Sequence, residues 1–153
     1  MGYKESRIEY CNYIADRIFN KLKDKQEYEL LTYALCGMYL GLRNTDILKL
    51  EWDQFDLENK IIKDVYLTKL SNQRGKEVKI DITFPVSLTI PFYERFKYAL
   101  DRWSERTNDK IKVFQNLKTW GTSDRIGEII GVLGFNTHDL RSMSVVLLDG
   151  ISL

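Results

Sequence analysis

The segment from Leu30 to Leu50, LLTYALCGMYLGLRNTDILKL, constrains this chain more than any other. Leu30, Leu31, Ala34, Leu35, Met38 and Leu42 recur at helical spacing, which predicts a long apolar helix at the centre of the fold. That helix runs out at Gly41-Leu42, and Arg43 sits in the break. A second, short helix starts at Asn44 or Thr45 and runs to about Leu50, with Asp46 in its first turn, where the helix dipole favours an anion. A guanidinium flanked by apolar residues needs an anionic partner, because desolvating it alone is too costly. Two partners fit: the carboxylate of Asp46 inside the protein, or a phosphate, which matches the planar guanidinium fork.

The rest of the chain supplies the context. Residues 5–23 read as an amphipathic helix with Ile8, Cys11, Ile14, Ile18, Phe19 and Leu22 on its apolar stripe. Asp24 and Glu27 have capping-box spacing and are expected to open the central helix. Trp52 and Phe55 mark a turn, after which the period changes. From Glu77 to Phe84 the alternation is strict, with Val78, Ile80, Ile82 and Phe84 on one face of a strand that Pro85 stops. Ile61–Leu67 is its expected antiparallel partner, joined through a turn at residues 71–75. Helical spacing returns from about Thr89, with Pro91 in the first turn, to about Arg106. Residues 112–115 suggest a short extended piece. A further helix from Ser123 carries Ile126, Ile129, Ile130 and Leu133 and is expected to stop at Gly134, and a last helix opens at Asn136 or Thr137. The expected fold class is mainly α with a small antiparallel β-sheet, in a single domain over residues 1–153.

Composition narrows the function classes. With 44% hydrophobic residues in 153, the chain can bury a real core. Its 23 basic and 22 acidic residues, for a net charge of +1, argue against a basic tail while permitting a local basic patch. No apolar run approaches a membrane span and the N-terminus lacks a signal-peptide core, so no membrane partner and a cytoplasmic setting are expected. Cys11 and Cys36 fall on apolar helix positions and read as two buried thiols in a reducing compartment. One histidine and two scattered cysteines make a zinc site improbable, and no cofactor is expected.

Four residues carry chemistry. His138 and Arg141 are three apart at a helix start and share a face, beside backbone N–H groups that suit phosphate. Arg43 lies at another helix terminus. Between them, residues 67–79 hold Lys69, Arg74, Lys76 and Lys79 against one acid, Glu77. Each has an ordinary reading, since a histidine at a helix start is commonly a cap and a basic turn is commonly just solvated. Together they describe a site for a phosphodiester at its pentavalent transition state, with guanidinium groups neutralising the non-bridging oxygens and a lysine protonating the leaving 5′ oxygen. Histidine can hydrogen-bond the phosphate or help deprotonate the nucleophile.

These segments resemble the catalytic domain of the tyrosine recombinases, the phage integrase family. Residues 40–50 are similar to its first box, Gly-Leu-Arg followed by an acidic residue and a Leu-x-x-Leu-type helix. Trp52 with Asp53 to Asp56 matches the tryptophan-aspartate turn, Thr68-Lys69 the lysine of the small sheet, and His138-Asp139-Leu140-Arg141 the His-x-x-Arg box. The resemblance covers the chain from about residue 5. It implies that Arg43 and Arg141 clamp the scissile phosphate, Lys69 is the general acid with Lys76 as the fallback, His138 supports acid–base chemistry, and Asp46 braces the site near Arg43. Thr68, Arg74, Lys76 and Lys79 would contact DNA. The implied partners are duplex DNA and other recombinase subunits, in a bacterial, archaeal or phage-encoded setting.

The chain departs from the family pattern in lacking its N-terminal DNA-clamping domain and its nucleophile. The family places a second His or Trp and then the tyrosine a few tens of residues after the His-x-x-Arg box. Here twelve residues follow Arg141, and the last of nine tyrosines is Tyr98. An excised catalytic core, a naturally shortened relative and a subunit that receives its tyrosine from a neighbour all fit. Three functions follow: the phosphate-gripping core of a site-specific recombinase, a non-catalytic DNA-binding relative that competes with or regulates a full-length enzyme, and a helical protein-interaction domain whose arginines are internal braces.

Overall fold

The computed structural model describes residues 3–84 and 92–151. Among them the chain is mainly helical with one three-stranded antiparallel sheet. Helix α1 spans Tyr3–Asp24 and α2 spans Tyr28–Leu40. Every residue of α2 from Tyr28 to Tyr39 is buried, because α1, α5 (Glu94–Arg106) and α7 (Thr137–Ile151) all pack on it. A helix apolar on all sides belongs in the interior, as the 30–42 pattern predicts. Cys11 and Cys36 are both buried free thiols.

Asp24 and Glu27 do not form the expected capping box. Asp24 is the last residue of α1, Gln26 adopts a left-handed φ of 57°, and Glu27, the cap of α2, makes no side-chain capping bond. Its carboxylate instead pairs with Arg125. The two helices thus meet in a tight turn closed by backbone bonds, Gln26 N–H to Lys23 O and Glu27 N–H to Leu22 O, each at 2.9 Å.

The end of α2 sets the geometry of the site. Gly41 takes the left-handed conformation (φ 68°) that lets the helix stop while the chain turns away. The contact with α7 also demands glycine: a Cβ on Gly41 would lie 2.7 Å from Ser144 Oγ, and one on Gly37 would lie 2.8 Å from Leu140 Cβ. Gly37→Val is therefore expected to destabilise the protein by roughly 1–3 kcal/mol through overpacking, read as a lower urea midpoint. An unchanged midpoint would mean that α7 does not sit on α2 at this distance.

After α3 (Asn44–Ile47), a 3-10 turn at Trp52–Gln54 leads into β1 (Phe55–Asp56), β2 (Ile61–Tyr66) and β3 (Lys79–Thr83), in spatial order β1-β2-β3. Phe55 faces Ile62 in register, Ile62 faces Ile82 and Val65 faces Ile80, with an irregularity between Ile62 and Val65. Strand β1 is an addition to the two strands expected. The apolar face of β3 is less covered than its alternation suggests: Phe84 is buried, Val78 and Ile82 are half-buried, and Ile80 is exposed. The extended piece expected at residues 112–115 is reduced to a single antiparallel bridge between Lys112 and Glu51, in a stretch that otherwise bends.

Two expectations need correction. Strands β2 and β3 are not joined by a hairpin turn, since Thr68–Arg74 forms a helix, α4, ended by Gly75 at φ 65°. The ladder is closed beneath it by Leu67 N–H to Val78 O, and Ser71 Oγ accepts the N–H of Val78. The sixth helix, α6, spans Thr122–Ile130 and stops at Gly131 rather than Gly134, which leaves Leu133 fully exposed. The expected roles of Pro85, Thr89 and Pro91 lie outside the described residues.

Candidate functional site

Three helix beginnings, far apart in sequence, meet at one cleft. Its walls are Arg43, Asn44 and Thr45 at the start of α3, Thr68, Lys69 and Asn72 from α4, and His138 and Arg141 from α7, around a volume of about 360 Å³. All four residues assigned to chemistry from the sequence are in this set. A neighbouring hollow of about 350 Å³ shares Arg43, Lys69 and Arg141 and is backed by Leu42, Leu67 and Leu70.

Each side chain is positioned by local chemistry. Arg43 is the cap residue of α3 in extended conformation (φ −72°, ψ 152°), which turns its side chain out of both helices. Arg141, on the second turn of α7, donates from Nε to the carbonyl of Gly41 at 3.0 Å. That carbonyl belongs to the end of α2, where backbone acceptors lack helical partners and a cation is favoured. One edge of the guanidinium is thus anchored while Nη1 and Nη2 remain for an anion. His138 is exposed in the first turn of α7. This turn is fixed by a reciprocal cap: Asn136 Oδ1 accepts the N–H of His138 at 2.9 Å, and Asp139 accepts the N–H of Asn136 at 2.8 Å. The cap uses the His138 amide, so the imidazole rather than that amide is what this residue offers to the cleft.

Asp46 does something other than expected. Among the described residues it forms no ion pair with Arg43. Its carboxylate, 3% exposed, accepts both the N–H of Thr68 (3.0 Å) and the Thr68 hydroxyl (2.7 Å). The brace therefore holds the first turn of α4, next to Lys69. Lys49 reinforces it, donating to Thr68 Oγ1 at 2.9 Å while its ammonium sits 4.5 Å from the centre of the Tyr66 ring.

Arg43 and Arg141 are electrostatic neighbours. Burial pushes the Arg141 guanidinium below its ordinary pKa, and the Arg43 charge lowers it further, with Asp46 opposing both. Among the described residues no carboxylate forms an ion pair with either arginine, and the Arg43 side chain makes no hydrogen bond, its carbonyl alone accepting from Asp46 and Ile47 N–H. Two like charges held close, with Asp46 offsetting them only in part and paired to neither, make an arrangement that an anion between them relieves. This speaks against the reading in which both arginines are internal braces, although the Gly41 contact gives Arg141 a partly structural role.

Of the four residues expected to contact DNA, Thr68 lines the cleft, whereas Arg74, Lys76 and Lys79 do not. Lys79 is 3.8 Å from Glu77 in an exposed ion pair. Lys69, not its fallback Lys76, is the lysine that the fold brings to the arginines. Asn44, Thr45 and Asn72 complete the lining and were not singled out by sequence. Asn72, three after Lys69, becomes legible once residues 68–74 are read as helix. Among the described residues no group of three or more His, Cys, Asp or Glu side chains is placed to hold a metal ion. No helix among them is long and apolar enough to cross a membrane.

No family model, no curated protein and no solved structure matches this chain.

Proposed function

We propose that this chain is the phosphate-gripping core of a tyrosine-recombinase-type enzyme and that the cleft holds a DNA phosphodiester. The observation that carries the reading is the pair of neighbouring guanidinium groups without carboxylate partners, lining one cleft with Lys69 and His138. In this reading Arg43 and Arg141 take the two non-bridging oxygens, and their charge rises in value as the phosphorus becomes pentavalent. A nucleophilic oxygen bonds to phosphorus as the bond to the 5′ oxygen breaks, and Lys69 gives the leaving oxygen its proton. His138 hydrogen-bonds the phosphate or takes the proton of the nucleophile. Thr68 and Asn72 are placed for further contacts to the backbone. No cofactor is required by these steps.

The same reading gives the nucleophile to a tyrosine outside these 153 residues. Among the described residues no tyrosine lines the cleft, and Tyr66, three before Lys69, has its ring beneath the Lys49 ammonium. The chain is then expected to bind duplex DNA without cutting it. A second reading, a relative that binds DNA and never cuts, shares the grip and differs only in whether a tyrosine-bearing segment can complete it.

The test is the affinity for a short duplex against salt concentration. Each phosphate neutralised by basic residues adds about 0.9 to the steepness of log K against log salt, so the one phosphate gripped by Arg43, Lys69 and Arg141 is expected to give a slope of about −0.9, and every further phosphate contacted steepens it by the same amount. Negligible binding at low salt would reject both DNA readings. Strand cleavage on adding a tyrosine-bearing recombinase segment in trans would select the first of them.

A further inference from the structure

Trp120 is the surface feature that the phosphate grip leaves unexplained. Its side chain is 72% exposed. Trp52 and Trp103 are only partly exposed and donate their indole N–H groups to the carbonyls of Asp109 (3.1 Å) and Val113 (2.6 Å). Those two are structural, and Trp120 is not held in this way. Nor is it on a loose loop. On one side, the N–H groups of Gln115 and Asn116 are bound by the buried carboxylate of Glu29 at 2.8 and 3.1 Å. On the other, Gly121 at φ 83° starts α6. Between them, Asn44 Nδ2 donates to the carbonyl of Thr119 at 2.8 Å. Asn44 is a wall of the cleft and the neighbour of Arg43. The indole is thus displayed from the residue directly after the one pinned to the cleft rim. The Lys118 ammonium lies 5.2 Å from its ring centre.

We propose that Trp120, with Lys118, is a stacking platform for an unpaired nucleobase adjacent to the phosphate held by Arg43. The proposal rests on the phosphodiester reading and adds the substrate class: DNA whose bases are unstacked beside the scissile phosphate, as at a bulge, nick or strand crossover. An exposed aromatic ring beside a cation, next to an anion site, has the elements that single-strand binders combine, a charge for the backbone and a flat face for the base. Bases inside an intact duplex have both faces covered by their neighbours. A loop-borne indole therefore finds a free base face only where pairing and stacking are broken. The Asn44 tether fixes the spacing between platform and grip, so that one strand can engage both.

The test uses the full chain and two short duplexes of one sequence, the first intact and the second carrying a single unpaired 2-aminopurine. Wild type is expected to prefer the bulged duplex roughly tenfold, within the range measured for single base–aromatic stacks, and to quench 2-aminopurine on binding. Trp120→Ala should equalise the two affinities and abolish the quenching, while Trp120→Phe keeps most of both. Equal losses on both duplexes would overturn the proposal, because they would make Trp120 a general backbone contact or a wedge. Affinities and quenching untouched by Trp120→Ala, with binding still lost in Arg43→Ala, would overturn it while leaving the phosphate grip standing. If neither duplex binds wild type, or if Arg43→Ala changes nothing, the phosphodiester reading fails and the platform fails with it.

Discussion

Arg43→Ala is expected to weaken binding to a short duplex by roughly ten- to hundredfold, the equivalent of the ~1.5–3 kcal/mol that a hydrogen bond to a charged group contributes. It should also make the salt slope shallower, by at most about 0.9 for the one phosphate gripped. The same substitution is expected to leave the thermal midpoint unchanged or slightly higher. Arg43 makes no capping bond in α3, and its charge works against that of Arg141, so its removal takes away a repulsion and, among the described residues, no side-chain hydrogen bond or ion pair. Arg43→Lys separates charge from shape: the ammonium keeps the counterion slope, whereas the loss of the planar fork keeps the affinity low. Arg141→Ala should weaken DNA binding comparably but cost stability as well, about 0.5–1.5 kcal/mol for the lost bond to the Gly41 carbonyl. Destabilisation by Arg43→Ala, with no change in DNA affinity, would restore the structural-brace reading and sink the functional one. The measurements are anisotropy titrations at several salt concentrations beside thermal melts.

The opposed signs expected for Arg43 follow from how the cleft is built. A core residue contributes to stability through its contacts, and its loss is felt in the melt. A residue that is kept without a partner beside a like charge costs stability and is retained for what it binds. Arg141 lies between these cases, anchored through Nε and free at its other nitrogens. That division suits a clamp, since one guanidinium is fixed by the end of α2 and the other is placed by the turn that follows it.

The sequence was legible where one periodicity governed a long segment. Helices α1, α2 and α5 follow their apolar stripes, and β2 and β3 pair as the alternation requires. It was less legible where a tertiary contact decided the outcome. Thr68–Arg74 lies between two strands and reads locally as a basic turn. Its first residue is held by a carboxylate 22 positions earlier, Asp46, which binds the backbone and hydroxyl of Thr68. The same contact explains why the obvious partner for Arg43 was the wrong one: Asp46 was three residues away in sequence but already engaged by α4. Gly134 was the expected helix stop, but Gly131 and Gly134 both take positive φ. The earlier one ends α6, and Gly127 there fits closely against Phe135, whose β-carbon would lie 2.8 Å from an added Cβ. The four residues of the candidate site were legible as motifs, while their convergence depends on Gly37 and Gly41 letting α7 approach α2.

Asp46→Ala carries the largest stability effect expected from the site itself. The carboxylate is 3% exposed and accepts two bonds from Thr68. Its removal leaves a backbone donor and a hydroxyl of half-buried Thr68 without their acceptor, at about 1–3 kcal/mol, or a fall in Tm of roughly 2–12 °C for a domain of this size. Lys49 then loses the ordered hydroxyl it donates to, and the first turn of α4, with Lys69 in it, is expected to exchange its amide protons faster than in wild type. Asp46→Asn distinguishes geometry from charge. The amide oxygen can still accept from Thr68, so most of the stability should return, while loss of the negative charge beside Arg141 should leave phosphate affinity equal to wild type or higher. Thr68→Val gives the converse, keeping the carboxylate and the Thr68 amide bond but removing the hydroxyl that links Asp46 to Lys49. A melt unchanged in Asp46→Ala, with α4 amides as protected as before, would mean that α4 forms without this brace and that Lys69 is not set in place by Asp46.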